Sequence, residues 1–475
     1  MRKVIPIVCF AVVLLTIYCA INPVTGKREL SLFSEQEEIA LGKQTDGEIK
    51  AQYGIYNDQA LNAYVQRVGQ SMTPLTHRPH LTYHFAVLDT PVVNAFAVPG
   101  GYIYVTRGIL SLMNSEAELA VVLGHELGHV NARHSMAKLS QLMLAQLGLG
   151  VAGAISETFA KLSGVASIGI QLLFLKFSRD DEREADALGV EYSRKGGYNP
   201  HEMINFFASL EKLGDLSGGH SLPGFLSTHP LTNERIQNTK DMLLESDQQL
   251  KIETNGYLMA VDNMVYGQDP RQGYVENNAF YHPELRFYFL FPEGWQVQNT
   301  PAQVTLATKD GHAGVILKAE KTSENLKDYA NRIAAKIENA QFIDERSFKI
   351  HGLASYHQVY DISQQEGENI RTRLSYVRKN GFIYTFLALS AQNEFSKYDE
   401  ELQSIVSSFQ ELRDAGYLNR KPQRIRLVKA NGRENLQTIF QKTGMEKELW
   451  TKFAIMNGLG LDSTPRSGQT IKVMR

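Results

Sequence analysis

The run His125-Glu126-Leu127-Gly128-His129 places two imidazoles and a carboxylate within five positions. On a helix, residues four apart share a face, so His125 and His129 can offer two ring nitrogens to one metal ion while Glu126 sits where it can take a proton from water at that metal. Catalytic zinc takes three protein ligands, so one more is needed. The run Ser178-Arg179-Asp180-Asp181-Glu182-Arg183-Glu184-Ala185-Asp186 can supply it. Glu182 and Asp186 are four apart and face together, so one can ligate while the other hydrogen-bonds a ligand histidine. Glu184 lies roughly 200° around that helix from Glu182 and faces elsewhere. His134, five residues past His129, is rotated off the ligand face and reads as structural. His77, His80 and His84 lack ligand spacing.

These residues need two helices. Ser115 and Glu118 form a capping-box pattern that opens a helix expected to run through His134, and Ser178 with Asp181 opens another. Before them, Glu35 to Lys50 and Asn57 to Met72 read as amphipathic helices, Leu81 to Leu88 as a strand, and Asn94 to Val105 as a hairpin around Pro99-Gly100-Gly101. The stretch Leu139 to Phe177, rich in Leu, Ala and Gly, reads as two short buried helices, with a membrane-dipping hairpin as the sharper alternative. Pro200 to Leu213 and Pro230 to Leu244 read as helices. After a Gly/Pro/Gln-rich connector the period changes to strands, at Phe287 to Phe291, Gln303 to Ala307, Gly314 to Ala319, Ser355 to Asp361, Thr372 to Arg378 and Phe382 to Ala388. Helices are expected near Leu326 to Asn339 and Tyr398 to Phe409, and a final unit opens and closes with strands at Ile425 and Thr470.

A chain of 475 residues with 43% hydrophobic and 21% charged content has core for two or three folded units, which excludes disordered, collagenous and polytopic membrane classes. A net charge of −2 gives no bulk case for nucleic acid, and none is expected as a partner. From Gly416 onward, twelve Lys/Arg stand against four Asp/Glu, so this basic tail is where an anionic partner would bind. Cys9 and Cys19 both fall in the leader, which leaves no internal disulfide and no cysteine ligand. Arg2-Lys3 followed by the apolar run Val4 to Tyr18 has signal-peptide dimensions and implies export. Cleavage before Cys19 would leave it as a lipidated first residue; an uncleaved anchor is the competing reading.

At Asn22-Pro23-Val24-Thr25-Gly26, Asn94 to Thr106, His125 to His134, Ser178 to Asp186 and Ser227-Thr228-His229-Pro230 the chain resembles the zinc metallopeptidases that include the CAAX prenyl endopeptidases, HtpX and the periplasmic BepA and LoiP type proteases. The resemblance implies one Zn²⁺ per chain on His125, His129 and Glu182, with Glu126 as the catalytic base. It also implies Asp186 beside a ligand histidine, His229 as a gate able to hold a latent state, and Tyr102, Ile103, Tyr104 and Val105 as the edge strand to which an extended substrate adds. Arg235 is read either as an oxyanion stabiliser or as a surface arginine. Downstream, residues around Phe291-Pro292-Glu293-Gly294-Trp295 resemble a PsbP/Mog1-type module, and Arg424 to Met474 a diverged LysM-type module.

The expected fold class is therefore multidomain. It comprises a leader (1–19), a mainly α-helical zincin-type metalloprotease domain with a small β-sheet (20–265), an α+β PsbP/Mog1-like domain (275–415) and a small basic βααβ LysM-like domain (424–475). The expected function is a zinc endopeptidase of the bacterial cell envelope, exported to the periplasm as a lipoprotein. It would hydrolyse unfolded or misassembled polypeptides and be held at the membrane by its N-terminal anchor. Peptidoglycan or another anionic envelope polymer would be the partner of the basic tail. The alternative is a latent protease that acts mainly as a chaperone-like or regulatory binding protein.

Overall fold

Ser34 forms a full capping box with Glu37, and the Asp58 carboxylate accepts from the Leu61 N–H; these caps start α1 (Glu35–Tyr53) and α2 (Gln59–Met72). The computed structural model describes residues 19–149, 176–216, 224–364 and 368–475. The leader expectation for residues 1–18 lies outside them. Ahead of α1, β1 (Cys19–Ile21) and β2 (Arg28–Leu30) pair across a turn in which Asn22 Oδ1 accepts from the Val24 and Thr25 amides.

The expected hairpin is present as β4 (Ala95–Val98) and β5 (Tyr102–Thr106), joined at Pro99–Gly101. Glycine is required there: Gly100 and Gly101 have φ of 75° and 94°, and a Cβ on Gly101 would stand 2.7 Å from the Thr82 carbonyl oxygen. Together with β3 (His84–Leu88) these strands form a sheet of order β3-β5-β4, in which β5 runs parallel to β3 and antiparallel to β4. This corrects the expected edge position of Tyr102 to Val105. Strand β5 is central, with both its backbone edges paired, and the free edge on this side belongs to β4.

After the short helix α3 (Arg107–Leu112), Ser115 Oγ accepts from the Glu118 N–H at 3.1 Å and starts α4 (Glu116–Asn131), which carries the histidine motif. The capping box is only half formed, because the Glu118 carboxylate accepts from the Asn114 amide instead. Nor does α4 continue through His134. Arg133 takes a left-handed φ of 60°, its guanidinium held by Glu38 at 2.8 Å and the Phe33 carbonyl at 3.0 Å, and a separate helix α5 (His134–Leu149) begins. Leu142 and Met143 on α5 are exposed, against the buried reading of that stretch, and residues 150–175 lie outside the described set. No described helix is long and apolar enough to cross a membrane.

Helix α6 (Arg179–Lys195), with the expected Ser178/Asp181 box, crosses α4 at glycines. A Cβ on Gly128 would lie 3.1 Å from Ala185 Cα, one on Gly124 3.1 Å from the Gly189 carbonyl oxygen, and one on Gly189 3.1 Å from the His125 amide nitrogen. Helices α7 (Glu202–Leu216), α8 (Phe225–Thr228), α9 (Asn233–Met242) and α10 (Thr254–Val261) complete this unit.

The following α+β unit contains a four-stranded sheet, order β16-β8-β7-β6, made of β6 (Tyr274–Glu276), β7 (Ala279–His282), β8 (Phe287–Leu290) and β16 (Gln410–Glu411). Beside it stands a seven-stranded sheet, order β12-β13-β14-β15-β11-β10-β9. Five of its strands correspond to expected ones: β10 (Val304–Ala307), β11 (Ala313–Lys321), β13 (Leu353–Ile362), β14 (Ile370–Lys379) and β15 (Phe382–Ala391). Strands β9 (Gln296–Asn299) and β12 (Ala340–Ile350) are additional; β12 is an edge strand exposed along most of its length, so no burial alternation marks it. Helices α11 (Leu326–Ala334) and α12 (Phe395–Ser407) stand near their expected places.

Strands β17 (Ile425–Lys429) and β18 (Thr470–Met474) pair antiparallel, with α13 (Leu436–Lys442) and α14 (Trp450–Met456) between them, a βααβ order. This unit does not stand apart. Ile425, Phe440, Phe453 and Ile471 share one hydrophobic core with Leu119 and Leu123 of α4, whereas the α+β unit has cores of its own. Lys472, fully buried, donates to the Ser111 and Met113 carbonyls at 2.9 and 2.7 Å, just before α4, and burial holds its pKa down.

The start of α4 is also pinned by charge. Buried Glu116 accepts from Tyr64 at 2.5 Å, Arg67 at 2.7 Å and Lys251 at 2.5 Å. Burial would raise its pKa, but these donors outweigh that and hold it at about 2, below the ordinary 4.5. A depressed carboxylate contributes stability that is present above the ordinary value and lost as pH falls toward the folded one. Glu116→Gln is expected to cost about 1–3 kcal/mol at neutral pH and to flatten the loss of stability between pH 4.5 and 2, read by denaturant unfolding across that range.

Candidate metal centre

The crossing of α4 and α6 brings His125, His129 and Glu182 together, and the turn after α8 adds His229; one ligand atom from each lies within 4.8 Å of all the others. None of the four is more than 2% exposed. His125 Nε2 is 3.1 Å from His129 Nε2, and Glu182 oxygens lie 3.5 Å from His129 Nε2 and 3.7 Å from His125 Nε2. A tetrahedral ion with bonds of 2.0–2.1 Å has ligand edges of roughly 3.3–3.4 Å, so this donor set fits such an ion. Burial holds His129 well below the ordinary imidazole range against the opposing pull of Glu182, which keeps it neutral as a ligand must be. Burial also opposes ionisation of Glu182, but His229, His129 and His125 outweigh it, and the carboxylate stays well below its usual pKa.

Glu126 is 1% exposed, and its Oε1 has no hydrogen-bond partner among the described residues. Burial raises its pKa, opposed by His229, His125 and the Ala97 amide. A carboxylate so placed is poised to accept a proton. The Ala97 amide belongs to β4. Asn94 O accepts from the Thr106 N–H at 3.0 Å, so backbone alternation turns residues 94, 96 and 98 toward β5 and leaves the N–H and C=O groups of Ala95 and Ala97 on the free edge.

Around these groups the structure places Asp186 Oδ1 3.0 Å from His125 Nδ1, the position expected of it. Arg235, left open between an oxyanion role and the surface, is buried. It makes two 2.7 Å bonds to Asp186, pairs with Glu182 at 2.7 Å, and thereby locks both acids. His134 is corrected. The chain break at Arg133 swings it back, so that its Nδ1 stands 2.9 Å from His129 Nδ1 while Glu184 lies 3.4 Å from its other nitrogen. Spacing counted along one continuous helix missed this pair; the local signal, a left-handed Arg133, is invisible in residue types. Glu184 does face away from the ligand atoms. His229 Nδ1 is 2.7 Å from Glu182 Oε1 and 3.4 Å from His125 Nε2, and its ring stacks on Phe225. Burial lowers its pKa, but Glu182 and Glu126 outweigh this and raise it. Phe177, not singled out in the sequence, stacks on His129 with centroids 4.1 Å apart. His77 bonds Tyr192, His80 faces Glu35 and His84 stacks on Tyr102, all away from the site.

A buried pair of histidines on one helix, a glutamate from the crossing helix and a second buried glutamate with one oxygen unbonded among the described residues point to a metallopeptidase. Residues 59–243 match Peptidase family M48. The matched M48 segment holds every residue of the site, and M48 peptidases depend on a metal. The chain is 28% identical over 334 residues to the beta-barrel assembly-enhancing protease of Yersinia pestis, covering 68% of this chain and 65% of that protein. Over 210 residues it is 30% identical to the mitochondrial metalloendopeptidase OMA1 of Arabidopsis thaliana, covering 44% and 41%. The chain thus spans less than two thirds of either relative. Among solved structures, cyanobacterial PsbP (CyanoP) from Synechocystis sp. PCC 6803 aligns at 15% identity with 28% of this chain and 91% of that one, at a TM-score of 0.25, too low to carry an argument.

Removing the charge that orients His125 tests the centre. Asp186→Asn is expected to weaken divalent-metal binding about 10- to 100-fold with the fold retained, measured by competition with a calibrated chelator.

Proposed function

We propose that this chain is a zinc-dependent endopeptidase of the bacterial cell envelope that hydrolyses peptide bonds in unfolded or misassembled proteins. The observation that carries the reading is the convergence of His125, His129 and Glu182 with Glu126 beside them, one of whose oxygens has no hydrogen-bond partner among the described residues. His125, His129 and Glu182 would hold the ion, which when bound supplies a Lewis acid that polarises the scissile carbonyl and acidifies water. Glu126 takes the proton of the attacking water and delivers it to the leaving amine. Arg235 and Asp186 hold Glu182 and His125 in place, so the ligand set is organised before substrate arrives. Ala95 and Ala97 on the free edge of β4 bind an extended substrate through backbone hydrogen bonds, and such contacts read main chain more than side chains, which suits unfolded polypeptides. The name of the Yersinia relative and the signal-like leader support the envelope assignment.

The test is cleavage of casein by the purified protein beside Glu126→Gln, with zinc assayed in both. The expected outcome is loss of at least 10²-fold in rate in the variant with zinc retained, and loss of wild-type cleavage on chelation. A variant that cleaves like wild type sinks the reading.

One observation favours a second reading, a latent protease. His229 Nδ1, hydrogen-bonded to Glu182 and 3.4 Å from His125 Nε2, stands where a fourth donor would close the site, and its Nε2 is 3.8 Å from Glu126. On that reading the enzyme is shut at rest and acts mainly as a chaperone-like or regulatory binding protein, with the basic C-terminal unit contacting an anionic envelope polymer. His229→Ala would then raise casein cleavage about tenfold or more at equal zinc content; a fall in cleavage would assign His229 to catalysis instead.

A further inference from the structure

A cavity of about 230 Å³ opens beside the metal-competent group. It is lined by Phe177, Arg179, Arg183 and Glu234, together with Glu182 and Arg235 of the site itself, so whatever fills it lies against the carboxylate that faces His125 and His129. The charges on its walls pair off one by one. Arg235 is committed to Glu182 and Asp186. Arg183 donates to Glu234 at 2.7 Å and pairs with Asp180. Both lining carboxylates therefore have their arginine. Arg179, one helical turn before Arg183 on the same face of α6, is exposed and has no hydrogen bond or ion pair among the described residues.

We propose that this cavity is a specificity pocket for an acidic side chain of the substrate, close to the cleaved bond, with Arg179 as the cation that recognises it. The proposal rests on the peptidase reading above. An incoming Asp or Glu would meet a free guanidinium in a fork geometry that matches a carboxylate, and the Phe177 ring offers an apolar wall for its methylenes. An incoming Lys or Arg would meet Arg179 with no unpaired carboxylate among the described wall residues to offset it. A partly exposed charge pair of this kind changes relative rates by about fivefold.

The experiment uses the zinc-loaded protein and its Arg179→Glu variant on a degenerate peptide library, with cleaved bonds read by mass spectrometry. In parallel, Glu-, Gln- and Lys-bearing versions of one peptide are titrated onto the zinc-loaded Glu126→Gln protein with and without Arg179→Glu. Wild type is expected to enrich Asp/Glu about fivefold at one position near the cleaved bond, and Arg179→Glu to transfer that enrichment to Lys/Arg at the same position. A merely structural role for Arg179 would not produce that reversal. Absence of any enrichment, or one that survives Arg179→Glu unchanged, overturns the pocket while leaving the peptidase reading intact. If no bond is cleaved but the Glu peptide binds about fivefold tighter than the Gln peptide and Arg179→Glu inverts the order, the pocket stands and the peptidase reading falls. Equal binding of all three peptides overturns the pocket whatever the turnover.

Discussion

The distance between two helices governs this molecule. Gly124 and Gly128 precede the two motif histidines by one residue each, and with Gly189 they let α4 and α6 approach until any added Cβ would press on opposing backbone. At that separation a glutamate side chain reaches the histidine nitrogens. Ordinary helix pairs stand 8–10 Å apart according to the side chains at the contact, so larger residues here would withdraw Glu182 and Asp186 together from the ring nitrogens they face. The glycine inside the histidine motif is thus part of the metal geometry although it contributes no ligand atom.

Burying four titratable groups together has an electrostatic cost, and the surrounding residues offset it in layers. Arg235 answers two acids at once, Asp186 faces His125, and His134, backed by Glu184, faces His129. Further out, Glu38 bridges Arg78 and Arg133, and the second of these contacts holds the left-handed residue that turns His134 inward. A surface helix, α1, therefore reaches the orientation of a motif histidine through one ion pair, Glu38–Arg133, and the His134–His129 contact.

Much of this was legible in residue spacing, because helices impose a fixed angular step. Offsets of four put His125 with His129 and Glu182 with Asp186, and the structure brings all four together, while Glu184, offset by two, faces away. Where the chain departs from regular geometry the same arithmetic fails. The break at Arg133 moved His134 from bystander to neighbour of His129. Sheet order was likewise not contained in the strand pattern: β5 is buried along nearly its whole length, and that it is central rather than an edge depends on β3 joining it from an earlier part of the chain. Strand β12 was missed for the opposite reason, since an edge strand exposed along most of its length carries no burial period to detect. Arg235 stays open between an oxyanion role and the surface until α9 packs beside α6, and Lys472 gives no sign that it is buried beneath the start of α4.

That last contact sets an order of events during synthesis. The carbonyls just ahead of α4 are capped by Lys472, and the core behind Leu119 and Leu123 is finished by Ile471 and its neighbours. The ribosome makes the helix of the histidine motif early, but its packing cannot be completed until residues beyond 470 have emerged. A polypeptide caught part-way through synthesis therefore has its histidines without the finished core that fixes them. The core behind the histidine motif is thus completed from a segment more than 330 residues further along the chain.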